Sequence, residues 1–182
     1  MAGTAVKYRD CVGAVQAADE APNGQPDGAS LLAAANINPL TGLATDYLNH
    51  FNEAIMLLEM LSSCPDCLDD FLNWQPMSYR EHFVASRFSG RDMAITAYNT
   101  ADPDLRDSLD TLAVTMTAVL EATRAALRTE MPPEVAGVLA DRAAAWLKPL
   151  VARAGAVING ETDAGLTQPV SPQAVVDGLM KR

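Results

Sequence analysis

Apolar side chains recur at spacings of three and four along most of this chain, and no segment shows a sustained alternation of period two. The clearest stripe is Tyr47, Phe51, Ala54, Leu58 and Leu61, widened by Leu48 and Ile55, with Asn49, Asn52 and Glu59 opposite. It predicts a helix over 45–61 that Ser62, Ser63 and Pro65 end. A short helix over 66–74 would bury Leu68, Phe71 and Leu72 and stop at Pro76. Ser78 and Glu81 then have capping-box spacing, so a helix begins there and is expected to reach Ser89-Gly90. Another short helix is predicted over 92–100.

Asp102-Pro103 opens a long helix to about residue 130, with Leu105, Leu109, Leu112, Met116, Val119 and Leu127 as its inner stripe. Pro132-Pro133 separates it from a helix over 134–154, whose predicted inner side carries Val135, Val138, Leu139, Trp146, Leu147 and Leu150. Pro149 lies inside that helix and should kink it near Trp146, because proline lacks the backbone donor and crowds the preceding turn. The flanks are less regular. A helix is predicted over 5–19, a loop at Pro22, Gly24, Pro26 and Gly28, and an apolar piece of either type over 31–36. Asn38-Pro39 marks a turn or a helix start, 158–170 reads as loop, and Ser171-Pro172 opens a final short helix to about residue 181.

These elements make an all-α protein: a helical bundle of about five to seven helices, with the two long C-terminal helices forming a hairpin. One helical domain is expected over 1–182, partly irregular over 1–38, and ending in a loop plus short helix over 158–182.

Composition narrows the setting. Nothing in the first twenty residues resembles a secretion signal, and no apolar run approaches the ~20 residues that span a bilayer. Three cysteines give no disulfide framework, so a cytoplasmic protein is expected, with no membrane partner. The net charge of −10 is unevenly spread: residues 10–79 contain no Lys or Arg. Phosphate binding needs a basic surface, so nucleic acid is not an expected partner, whereas a cationic protein partner fits.

Candidate chemistry concentrates between residues 47 and 98, which hold both histidines and most of the aromatic residues. Tyr47-Leu48-Asn49-His50-Phe51 and Tyr79-Arg80-Glu81-His82-Phe83 share the pattern Y-x-x-H-F. On a helix, positions three apart share a face, so each segment presents a tyrosine with a histidine. Imidazole with carboxylate suits iron, manganese or zinc, which makes His50, Glu53, Glu81 and His82 a candidate divalent-metal set. Tyrosine stands where the Glu-x-x-His motif of di-iron bundles has glutamate. Short links favour antiparallel packing, which would hold the two histidines roughly 15 Å or more apart along the axis and prevent a shared ligand.

Arg80, Arg87 and Arg91 would share one side of a helix that continued through Gly90, and guanidinium matches carboxylate or phosphate. With Tyr47, Trp74, Tyr79 and Phe83, Arg80 and Arg87 form a candidate site for a small acidic ligand. Cys64-Pro65-Asp66-Cys67 is a C-x-x-C at a helix start, where the dipole favours thiolate but Asp66, Asp69 and Asp70 oppose it. A zinc set of His50, Cys64, Cys67 and His82 has suitable ligand types but no compact-module spacing. There is no G-x-S-x-G elbow and no glycine-rich phosphate loop. The leading expectation is a non-enzymatic helical module that self-associates as a homodimer. Its motive is the 45–61 helix, apolar over more of its circumference than one partner face requires, with Met56, Met60, Met93 and Met116 at helix margins.

Overall fold

The computed structural model describes residues 27–64 and 66–161. The helices predicted over 5–19 and from Ser171 lie outside the described residues, as do Pro65 and most of the 158–170 loop. Within them the fold is all-α, with no named strand; Ile37 and Ala44 form one isolated antiparallel bridge. The helices are α1 (Gly28–Ala34), α2 (Leu48–Met60, entered through a 3-10 turn at Thr45–Tyr47), α3 (Cys67–Asn73), α4 (Tyr79–Ala85), α5 (Arg91–Thr100), α6 (Pro103–Leu127) and α7 (Pro133–Ile158).

The starts of these helices follow from side-chain oxygens that accept free N–H groups. Asp27 accepts from Ser30, Asp102 accepts from Asp104 and Leu105 ahead of Pro103, and Ser78 and Glu81 form the expected reciprocal box. The end of α7 is set by Gly160, whose φ of +74° only glycine adopts freely, while the Glu161 N–H closes back on the Ala156 carbonyl.

α6 and α7 pack closely as the expected C-terminal hairpin, and α2 packs on α7. Gly137 of α7 lies beside Ser62 and Gly155 beside Leu48, so α2 and α7 run antiparallel. Small residues allow that approach: Ala140, Ala143, Ala144 and Ala154 are all buried. Between them sit Phe51, Leu58, Leu109, Met116, Leu120 and Leu147, each fully buried. Burying one such side chain contributes ~1.5–3 kcal/mol relative to leaving it exposed. At the far end, the Thr41 hydroxyl donates to the Ile158 carbonyl at 2.6 Å, fastening the segment before α2 to the end of α7.

Four expectations change. The width of the α2 stripe is used inside the chain, because α2 meets α3 and α7 as well as the turn that precedes it. Val135 and Val138 are exposed rather than inward, since the buried register of α7 runs through Gly137, Ala140, Ala144 and Leu147. The helix continues across Pro149 to Ile158, with the proline on its exposed side. Finally, α4 stops at Ala85, short of Ser89-Gly90. The Ser86 hydroxyl donates to the Phe83 carbonyl and accepts from the Phe88 N–H, which turns the backbone extended. Arg87 therefore leaves the helix and Arg91 opens α5, so Arg80, Arg87 and Arg91 form no common row.

Candidate functional site

The two Y-x-x-H-F segments meet side by side. Tyr47 and Tyr79 have ring centroids 5.2 Å apart, and His50 and His82 have theirs 6.1 Å apart. The expected separation of roughly 15 Å is thus overturned. Tyrosine meets tyrosine and histidine meets histidine, so the starts of α2 and α4 lie together and not at opposite poles. The sixteen residues from 62 to 77 include α3 and the extended stretch after Trp74, enough chain to bring α4 back to the start of α2.

His50 is buried and stacks on the Trp74 indole at 4.5 Å. The indole N–H donates to the His50 main-chain carbonyl at 3.2 Å. Burial first, then the neighbouring His82, pushes the His50 imidazole down to about 4, against the opposing hydrogen bond to the Gln75 main chain. Its Nε2 makes no hydrogen bond. His82 is also lowered by burial, opposed by the Asp46 carboxylate and main chain. Both rings are therefore neutral at pH 7.

The proposed metal carboxylates do not join them. Glu81 accepts from the Ser78 N–H and hydroxyl at 2.8 and 2.7 Å, and Glu53 is exposed. Among the described residues no three His, Cys, Asp or Glu side chains gather as a metal-holding group, which also disbands the His50, Cys64, Cys67 and His82 set. Cys64 and Cys67 are free thiols. The contact with Cys64, then burial, then the lesser effects of Asp70 and Asp66 push the Cys67 thiol up, which disfavours a thiolate there.

Next to this cluster lies a groove of about 630 Å³ walled by α4 and α6, with Tyr98 of α5 between them. Tyr47, Tyr79 and Arg80 line it, as the sequence suggested for a ligand site. Trp74 and Phe83 do not, because both are buried in the cluster behind; Arg87 does not because α4 ends before it. The residues missed include Met77, Tyr98, Asp110, Val114 and Glu121. Val114 stands outside the inner stripe of α6, and an apolar residue off the stripe, with acids four before and seven after, was the available signal.

Every tyrosine hydroxyl of the groove has a partner. Tyr47 donates to the Met77 carbonyl at 3.1 Å, Tyr79 accepts from the Ala44 N–H at 3.0 Å, and Tyr98 donates to Asp110 at 2.6 Å. Burial, foremost, raises all three phenols, Tyr79 to about 12, so they stay protonated. Tyr79 and Tyr98 stack at 4.4 Å, and the Arg106 guanidinium lies 5.8 Å from the Tyr98 ring centre. Glu121 is 3.7 Å from Arg124, whose other nitrogen holds the Trp74 carbonyl. The lining thus carries three carboxylates, Glu81, Asp110 and Glu121, against the single guanidinium of Arg80. No helix among the described residues is long and apolar enough to cross a membrane. The chain matches no protein-family model, no curated protein and no solved structure.

Proposed function

We propose that this chain is a non-enzymatic helical binding module whose ligand occupies the groove between α4 and α6. The observation that carries the reading is the groove itself, lined by Tyr47, Met77, Tyr79, Tyr98, Ala113 and Val114 together with the charged Arg80, Glu81, Asp110 and Glu121. Its volume falls within the ~300–1,000 Å³ of small-molecule pockets. Its three tyrosines and Glu81 already have hydrogen-bond partners within the fold, which supports recognition over proton transfer. The acidic-ligand reading loses ground to a neutral or cationic ligand, because the carboxylates of the lining outnumber Arg80.

Screening neutral aromatic fragments by amide NMR tests this. Hits should shift the amides of Tyr79, Tyr98 and Val114. Hits that all map elsewhere would remove the reading.

Self-association remains a second proposal on different evidence. Met56 and Met60 of α2 and Val135 and Val138 of α7 are exposed on adjacent antiparallel helices. Sedimentation at micromolar concentration decides it: a 19.3 kDa monomer would end the homodimer proposal.

A further inference from the structure

The face that α6 turns to the groove has a pattern. Asp110, Val114, Thr117 and Glu121 all line it, at intervals of four, three and four. Eleven residues complete three turns to within ~20°, so the two acids stand in line, ~16 Å apart along the helix. Between them the apolar Val114 is 62% exposed.

The two acids have different partners. Asp110 accepts from a neutral phenol. Glu121 has a guanidinium at 3.7 Å, but Arg124 is committed by its other nitrogen to Trp74 at 2.6 Å. On the opposite wall Glu81 is held below the usual carboxylate range by hydrogen bonds from the Ser78 main chain and side chain. The groove therefore offers an apolar centre with an acid at both ends of the α6 wall, while on the α4 wall Glu81 stands beside the one guanidinium of the lining, Arg80.

We infer that the occupant is a basic amphipathic helix of a protein partner, with two arginines eleven positions apart and a leucine-sized side chain between them over Val114. The inference rests on the groove being the recognition site. In helix-in-groove recognition one face of the ligand helix supplies anchors about a turn apart, so a helix laid along α6 can keep in step with Asp110, Val114 and Glu121. Arginine fits better than lysine because guanidinium binds carboxylate bidentately and stacks on aromatic faces, and the chain's own Arg106 already sits over the Tyr98 ring, 5.8 Å from its centre.

The test uses a fluorescein-labelled alanine-based peptide of fifteen residues, with arginine at positions 2 and 13 and leucine at 6 and 9. Binding is read by anisotropy against the full chain. Val114→Glu should weaken it about tenfold, since a charge then meets the apolar anchor. Asp110→Asn and Glu121→Gln should each weaken it about three- to fivefold and reduce its salt dependence. Asp141→Asn, an exposed acid of α7 outside the groove, should leave it unchanged. Unchanged melting temperatures for Val114→Glu and Glu121→Gln establish that a loss is local.

Binding that all three groove variants leave intact would overturn the inference, as would no binding at about 100 µM peptide. A control peptide with glutamine at both basic positions separates the two levels. If it binds equally well, the groove reading stands and the basic partner is refuted. If neither peptide binds and no neutral fragment shifts the groove amides, the groove reading itself fails.

Discussion

The Arg124 guanidinium donates to the main-chain carbonyl of Trp74 at 2.6 Å, across fifty positions of sequence. It ties the last turn of α6 to the extended stretch that carries the chain from α3 to α4. That stretch sets where α4 begins, and with it one wall of the groove and the place of His82. The side chain is only 15% exposed, so the bond is shielded from water.

Arg124→Met should therefore destabilise the protein by ~2 kcal/mol, the cost of losing a charge-assisted bond and stranding its acceptor. For a chain of this size that is a melting-temperature drop of ~4–8 °C. Thermal unfolding followed by circular dichroism measures it. A variant that melts with the wild type would show that Arg124 does not hold the two segments together.

Stability should fall in acid because of His50. Its pKa lies at about 4 in the folded chain, below the ordinary histidine value of 6.5, so the folded state disfavours the proton that the unfolded state accepts. The contribution is complete above pH 6.5 and is lost as pH falls from there to about 4. It amounts to up to ~3 kcal/mol, with His82 acting in the same direction. His50→Gln removes the titration while keeping an N–H for the Gln75 main chain. Denaturant midpoints at pH 7, 6, 5 and 4.5 should converge between variant and wild type as pH falls. Parallel curves would show that His50 is not the group responsible.

Much of the fold can be read from the residues because its signals are local. The Ser78–Glu81 box, Asp102-Pro103 and the 47–61 stripe each operate within a few positions, and each predicts its element closely. Where the reading failed, the deciding contact was local but competed with helix, or was remote. The Ser86 hydroxyl ended α4 early and broke up the arginine row. The His50–His82 approach depends on α3 and the Trp74–Ser78 stretch, whose path no periodicity encodes. Half of the groove was visible in Tyr47, Tyr79 and Arg80, because the aromatic clustering pointed there. The α6 half was not, since Asp110 and Glu121 look like ordinary surface acids until the opposite wall is in place.

Gly137 offers a stabilising change. A methyl group placed there would meet Ser62 at 3.6 Å, an ordinary van der Waals contact, and its backbone is helical. Gly137→Ala should raise stability by ~1 kcal/mol through helix propensity. Gly42→Ala should do the reverse, because φ is +71° there and the new Cβ would stand 3.1 Å from the Ala97 carbonyl oxygen. Urea unfolding of both variants checks the pair. A destabilised Gly137→Ala would mean that α2 and α7 pack more tightly at Ser62 than these distances describe.

The C-x-x-C segment should be chemically quiet. Cys67 begins α3, where the helix dipole alone would favour a thiolate, yet the contact with Cys64, burial and the charges of Asp70 and Asp66 raise its pKa. Cys67 is also only 7% exposed. Alkylation by iodoacetamide at pH 7.5 should therefore be slower at Cys67 than at a free cysteine by about tenfold or more, because the thiolate fraction and the access both fall. Mass spectrometry of the peptide carrying both thiols separates the two sites through fragment ions. Replacing Asp66 and Asp70 by asparagine should speed the reaction at Cys67 without unfolding the chain, since both aspartates are exposed. Equal or faster alkylation of wild-type Cys67 relative to free cysteine would mean that the dipole prevails, and would restore a redox role to the motif.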